Sequence, residues 1–143
     1  MSFTAEETAY LLSQPLARIA SVSSDGQPDV VPVGFEFDGT YLYVGGIDPS
    51  STRRARNVRG GNNQVALVID DLVSVDPWTP RFLRVYGTAE LIEREGSGSP
   101  YFSGRAIMKI TPTISWSWNL NAGTSEAHDD DFAPRRTVHQ PAA

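Results

Sequence analysis

Apolar and polar positions alternate in short runs along most of this chain, with turn residues between the runs, and that pattern predicts strands. Arg18 to Ser23 alternates, with Ile19 and Val22 among its apolar positions, and ends at Ser24-Asp25-Gly26. A second strand is expected from Val30 to Phe37, closed by Asp38-Gly39, and a third from Tyr41 to Val44. Val65 to Ile69 is a continuous apolar run, the mark of a buried strand. Arg81 to Glu93 and Ala106 to Trp118 read as two longer strands joined through the Gly- and Ser-rich turn Glu95 to Pro100.

Two segments break the alternation. Thr4 and Glu7 have the spacing of a capping box, in which each side chain satisfies a free amide of the first helical turn. Tyr10, Leu11 and Leu12 supply that helix with an apolar face, and Pro15 closes it. Asp48-Pro49-Ser50-Ser51 offers capping side chains for a second helix over Thr52 to Arg59, stopped by Gly60-Gly61. Strands joined mostly by hairpins, with two short helices, predict a mainly β fold: a small six-stranded antiparallel barrel. From Asn121 to Ala143 the chain is polar and almost without aliphatics. That stretch is expected to be a tail, mobile or borrowed by a partner, behind one folded unit at residues 1–120.

Composition narrows the chemistry. The 143 residues suit one domain, and 40% hydrophobic residues can bury a core. With no Cys there is no disulfide framework, thiolate metal site or cysteine nucleophile. Two His, both near the C-terminus, argue against a histidine metal site and against a Ser/His/Asp arrangement in the folded part. His128 beside Asp129, Asp130 and Asp131 reads as solvated, and Asp70-Asp71 reads as a turn at a strand end. No apolar run reaches the ~20 residues of a membrane span, and the acidic start lacks the regions of a signal peptide. A cytoplasmic protein is expected.

The densest signal is Ser51-Thr52-Arg53-Arg54-Ala55-Arg56-Asn57-Val58-Arg59, four Arg in seven residues of a chain with net charge −5. Arg forks match phosphate or carboxylate oxygens, and Arg53, Arg56 and Asn57 can share a helix face. The plain alternative is a solvated face pairing with carboxylates elsewhere. In Val31-Pro32-Val33-Gly34-Phe35, Pro removes an amide donor and Gly lets a flat ligand approach, although an edge strand or bulge explains both. Trp116 and Trp118 fall on one strand face, with Trp78 earlier; core, dimer interface and stacking on a planar ring all remain open for them. No catalytic side chain and no metal ligand stands out, so any enzymatic reactivity would come from a bound cofactor.

Taken in order, these pieces resemble the flavin and deazaflavin oxidoreductases related to pyridoxamine 5′-phosphate oxidase. The resemblance runs from about Leu11 to Leu120, through Ala17-Arg18-Ile19-Ala20-Ser21-Val22, Asp25-Gly26-Gln27-Pro28, Val31-Pro32-Val33, Asp38-Gly39 and Thr52-Arg53-Arg54-Ala55-Arg56-Asn57-Val58. It continues with Val65-Ala66-Leu67-Val68-Ile69-Asp70 and Arg84-Val85-Tyr86-Gly87-Thr88-Ala89. Thr52-Arg53-Arg54 stands where the oxidase branch has Ser-Arg-Lys for the flavin phosphate, keeping hydroxyl, Arg and cation. Ile110-Thr111-Pro112-Thr113 and Ser115-Trp116-Ser117-Trp118-Asn119-Leu120 look most like an actinobacterial deazaflavin-dependent subgroup.

The resemblance implies an FMN-binding split β-barrel, a homodimer with the cofactor at its interface, and coenzyme F420, with FMN as the alternative cofactor. It assigns Ser51, Thr52, Arg53, Arg54, Arg56 and Asn57 to the phosphate and glutamate tail. The backbone of Pro32, Val33, Gly34 and Phe35 would lie against the ring, and Trp78, Trp116 and Trp118 would line the ring or substrate side. The expected activity is hydride transfer between reduced deazaflavin and a small organic acceptor, with no nucleic-acid or membrane partner. An FMN oxidase or reductase and a non-catalytic deazaflavin carrier are the alternatives, with a nucleic-acid binder last because the chain is acidic apart from one Arg cluster.

Overall fold

The computed structural model describes residues 2–45, 51–93, 106–122 and 132–140. The proposed caps Asp48, Pro49 and Ser50, the turn Glu95 to Pro100, and His128 with its three Asp lie outside the described residues. Helix α1 spans Ala5–Ser13. Its capping box forms as the spacing requires: Thr4 Oγ1 accepts from the Glu7 amide at 3.0 Å and Glu7 Oε1 from the Thr4 amide at 2.9 Å. Helix α2 spans Arg53–Arg59, with Thr52 as its N-cap accepting from the Ala55 amide.

Strands β1 (Leu16–Val22), β2 (Pro28–Phe37), β3 (Leu42–Val44), β4 (Gln64–Ser74), β5 (Thr79–Glu93) and β6 (Ala106–Trp118) pair antiparallel in the order β3-β2-β1-β4-β5-β6. A further pairing of β3 with β6, through Leu42↔Ile110 and Val44↔Met108, closes them into the six-stranded barrel that the alternation predicts. Ile19, Leu42, Leu67, Ile69, Leu83, Val85 and Ile110 fill its interior, each almost fully buried, as inward positions of small barrels are. At Gly87 the barrel has no room for a side chain: a Cβ would stand 2.7 Å from the Thr111 carbonyl oxygen. There β5 and β6 slip in register between Tyr86 and Gly87.

Two expectations are corrected. Asp70-Asp71 is no turn, because β4 runs on to Ser74; Asp70 pairs with Arg18 across the sheet, and Asp71 is chelated by Arg81 at 2.7 and 3.0 Å. The polar stretch behind residue 120 contributes a seventh strand, β7 (Arg135–Val138), on the half of β6 that β3 leaves open. Strand β7 is held by contacts that its composition does not announce. Thr137 is buried, Arg135 reaches Oε1 of the buried Glu7 at 3.3 Å, and His139 Nε2 lies 2.8 Å from Ser115 Oγ with its ring on Phe3. His139 therefore belongs to the folded part, and burial lowers its pKa against the opposing pull of Glu7. No helix of the described residues is long and apolar enough to cross a membrane.

Candidate cofactor site

Strand alternation sends one set of side chains into the barrel and the other outward, and register aligns the outward set into rows. One row runs across six strands as Pro32, Arg18, Val68, Arg84, Trp116 and Arg136. The next row is apolar throughout: Val30, Ala20, Ala66, Tyr86, Ile114 and Val138. Val30 is 65% exposed, and Tyr86 and Val138 are 44% exposed, so this face carries a contiguous apolar surface.

A cleft of about 490 Å3 is cut into that face, floored by the small side chains of Ala20 and Ala66 and bordered by Val22, Tyr86, Thr88 and Ile114. Its volume falls in the range of small-molecule sites. The small Ala20 and Ala66 leave a slot between the larger side chains at its border. Sequence reasoning did not single out Ala20, Ala66 or Tyr86 as a site. The available signal was the alternation of β5, which turns Phe82, Arg84 and Tyr86 outward together.

Helix α2 packs against β1, whose last residues Ser21 and Val22 also line this cleft. Its Asn57 is buried and donates from Nδ2 to Ser21 Oγ at 2.9 Å, and Ser21 lines the cleft. After the helix, Asn62 Nδ2 donates to the carbonyls of Val22 and Ser23 at 3.0 and 2.8 Å. These bonds lock α2 onto the end of β1. Arg53 and Arg56 lie exposed on it, one turn apart, while Arg54 is half-buried and donates to the Gly45 carbonyl at 2.6 Å. Desolvation lowers the Arg54 pKa, with Asp29 opposing. Ser51 is exposed and Thr52 caps the helix. Arg53 and Arg56 thus present their guanidinium groups to solvent, while Arg54 and Asn57 bond to Gly45 and Ser21.

The remaining sequence candidates are distributed. Val33 and Phe35 point into the core, so their side chains are closed to a ligand, while Pro32 and Gly34 stay on the outer face beside Arg18 and Leu16. Trp116 and Trp118 share the outer face of β6, as alternation requires. Trp116 packs edge-on against Tyr86 at 4.9 Å between ring centroids, and Trp118 against Phe132 at 5.2 Å and Phe82 at 6.2 Å. Trp78, 68% exposed, lies at the end away from α2, lining a second cleft of about 600 Å3 with Arg18, Asp70, Arg81 and Phe82. The structure thus fixes the Arg helix to the end of β1, packs Trp116 against Tyr86 of the slot, and leaves Trp78 apart. Among the described residues no cluster of His, Asp and Glu could hold a metal ion.

The comparisons agree with this architecture. A 5a,11a-dehydrotetracycline/5a,11a-dehydrooxytetracycline reductase of Streptomyces rimosus is 34% identical over 128 residues, spanning 87% of this chain and 89% of the relative. An F420 reductase structure superposes with a TM-score of 0.56 at 22% identity, over 73% of this chain and 92% of its own. The haem storage protein of Vibrio cholerae superposes with a TM-score of 0.55 at 16% identity, over 78% of this chain and 91% of its own. At such identities both likenesses establish the fold alone, and one fold hosts different functions. The family model for pyridoxamine 5′-phosphate oxidase matches residues 3–130, nearly the whole folded unit, and the chain belongs to that family.

Proposed function

We propose that the protein is an oxidoreductase that binds coenzyme F420 and reduces a small organic acceptor. The observation that carries this reading is an apolar slot bordered by the end of β1, the same strand end to which Asn57 and Asn62 fix α2 with its exposed Arg53 and Arg56. A flat ring with an anionic tail needs both parts, side by side. The 34% identity to a reductase over most of both chains supports the reductase direction, and the F420 reductase shares the fold.

In this reading Arg53 and Arg56 hold the phosphate and tail carboxylates through charge-assisted hydrogen bonds. Ala20, Ala66 and Tyr86 receive the ring and keep water from it. A deazaflavin held there would supply the hydride, with the accompanying proton coming from solvent. A second copy of the chain covers the apolar outer row and turns the slot into an enclosed site, which gives Val30, Val22 and Val138 a reason to stand exposed on one copy. The site is then shared between the subunits of a homodimer. With FMN, which has one phosphate and no glutamate tail, a single cation would suffice.

The test is a pair of equilibrium titrations of the purified protein, one with F420 bearing its glutamate tail and one with FMN. Tighter binding of F420, weakened by tail trimming and by salt, supports the proposal. Tighter FMN binding moves the protein to the flavin branch, and failure of both to bind overturns the cofactor reading.

A further inference from the structure

Strand β7 ends on a titratable anchor. Thr137 stands opposite Ser115, both buried, and His139 follows: its amide donates to the Thr113 carbonyl at 2.9 Å and its Nε2 lies 2.8 Å from Ser115 Oγ. The imidazole ring packs on Phe3 at 4.4 Å between centroids. Burial holds its pKa below the ordinary value; the Glu7 carboxylate of α1 opposes that shift, and the chain's amino terminus adds to it. Glu7 is already engaged, since its Oε1 accepts from the Thr4 amide and from Arg135 of β7. Tyr41 lines the same small cleft as His139, about 80 Å3 in volume. The outer side of β7 serves the slot. Ile114, one of the residues lining it, stands in register between Tyr86 of β5 and Val138 of β7. Strand β3 pairs with β6 only from Met108 to Ile110, so β7 alone covers the β6 edge from Ile114 to Ser117.

From this arrangement we infer that β7 is a strap: seated through His139 it braces the Ile114 wall of the slot, and acidification unseats it and loosens that wall. A protonated imidazole places a charge between the Phe3 ring and the buried Ser115, in a pocket whose one carboxylate is already bonded twice. The seating is complete above the unfolded value near 6.5 and is lost as the pH falls through the lower folded one. Unseating leaves four residues of β6 as an open edge and withdraws Val138 from beside Ile114. The strap is a two-state element of the kind that histidine protonation biases. Its effect on binding rests on the reading of the slot as the cofactor site.

The chain has no Cys, so one engineered bridge can hold the strap in place. Trp116 and Arg136 lie opposite each other across β6 and β7, and the full-length Trp116→Cys/Arg136→Cys protein is compared oxidised and reduced. Amide exchange of Ile114 to Ser117, corrected for its intrinsic pH dependence, should rise at least about fivefold between about pH 7.5 and 5.5 in the reduced form and stay level in the oxidised one. Titrations with F420 and with FMN over the same range should show affinity falling at least about threefold further in the reduced form. Ionisation of the cofactor itself cancels between the two forms. His139→Gln, which lacks the titrating group, should follow the oxidised protein, and it carries the comparison against wild type if the bridge does not close. Exchange that is equal in both forms overturns the strap. Exchange that rises while the affinity ratio stays flat overturns its hold on the slot. Failure of both cofactors to bind at either pH is a different result: it sinks the cofactor reading, and exchange decides the strap.

Discussion

The hydroxyl of Tyr10 donates to Asp71 Oδ1 at 2.7 Å, tying the first helix to a strand sixty-one residues further along the chain. Asp71 also receives Nε and Nη2 of Arg81, whose guanidinium lies 5.0 Å from the Tyr10 ring centroid and whose Nη1 donates to the Leu120 carbonyl. One carboxylate thus joins α1, β4, β5 and the end of β6. Asp71→Ala removes the acceptor of three partly buried donor groups, the Tyr10 hydroxyl and Nε and Nη2 of Arg81, and should cost about 2–3 kcal/mol, read from urea melts.

The same group sets a pH window. Arg81 and Tyr10 hold the Asp71 carboxyl below the usual carboxylate range. Its contribution is therefore complete above the unfolded pKa near 4 and disappears as the pH falls through the lower folded value. Burial, then the bond to Asp71, pushes the Tyr10 phenol well above its ordinary value. Its contribution is complete below the unfolded value near 10 and decreases as the pH rises beyond it. Stability of Tyr10→Phe should accordingly lose less than the wild type between about pH 9 and 11, checked by melts across that range.

Arg53→Ala/Arg56→Ala should weaken F420 binding by about 1.5–3 kcal/mol per lost charged contact and flatten its salt dependence, with little change in Tm. Titrations at two salt concentrations check this. Arg54→Ala is expected to behave differently, lowering Tm as well, because it removes the bond from α2 to the Gly45 carbonyl.

Asn57→Ala should act on stability. It deletes a buried amide and its bond to Ser21, a loss of about 1–2 kcal/mol, or about 3–6 °C in a melt. An unchanged Tm together with lost cofactor affinity would return Asn57 to the ligand.

Gly87→Ala forces a methyl group to within 2.7 Å of the Thr111 carbonyl oxygen and 2.8 Å of Ile110 Cγ2. Overpacking of this kind costs about 1–3 kcal/mol, and it would disturb the bulge beside Tyr86. A melt and a cofactor titration together report both effects.

His139 is held neutral by burial, so its folded pKa lies below its ordinary value. The seating of β7 is complete above the unfolded pKa near 6.5 and weakens as the pH falls through the lower folded one. Amide exchange at Thr137 and Val138, corrected for the intrinsic pH dependence, should rise between about pH 7 and 5 in the wild type and stay level in His139→Gln.

Much of the barrel was legible in the sequence because it is local. Alternation, Gly turns and the Thr4–Glu7 capping box act over a few residues, so β1 to β6 and both helices could be placed within a few positions. The Arg helix was equally visible, as a cluster in an otherwise acidic chain. What only the tertiary structure decided depends on register and on distant partners. Strand β7 lacks an apolar pattern and exists because β6 offers an open edge, Glu7 a buried carboxylate and Phe3 a surface for His139. Asp71 looked like a turn residue until Arg81 and Tyr10 stood around it. The bonds of Arg54 to Gly45 and of Asn57 to Ser21 could not be read from the helix alone, because both partners lie outside it in the chain. The slot floored by Ala20 and Ala66 is created by pairing β1 with β4, and residues forty-six positions apart carry no trace of one another in the sequence. Local pattern determined which segments are strands; long-range pairing decided which outward side chains meet, because register is a property of two segments and not of either one.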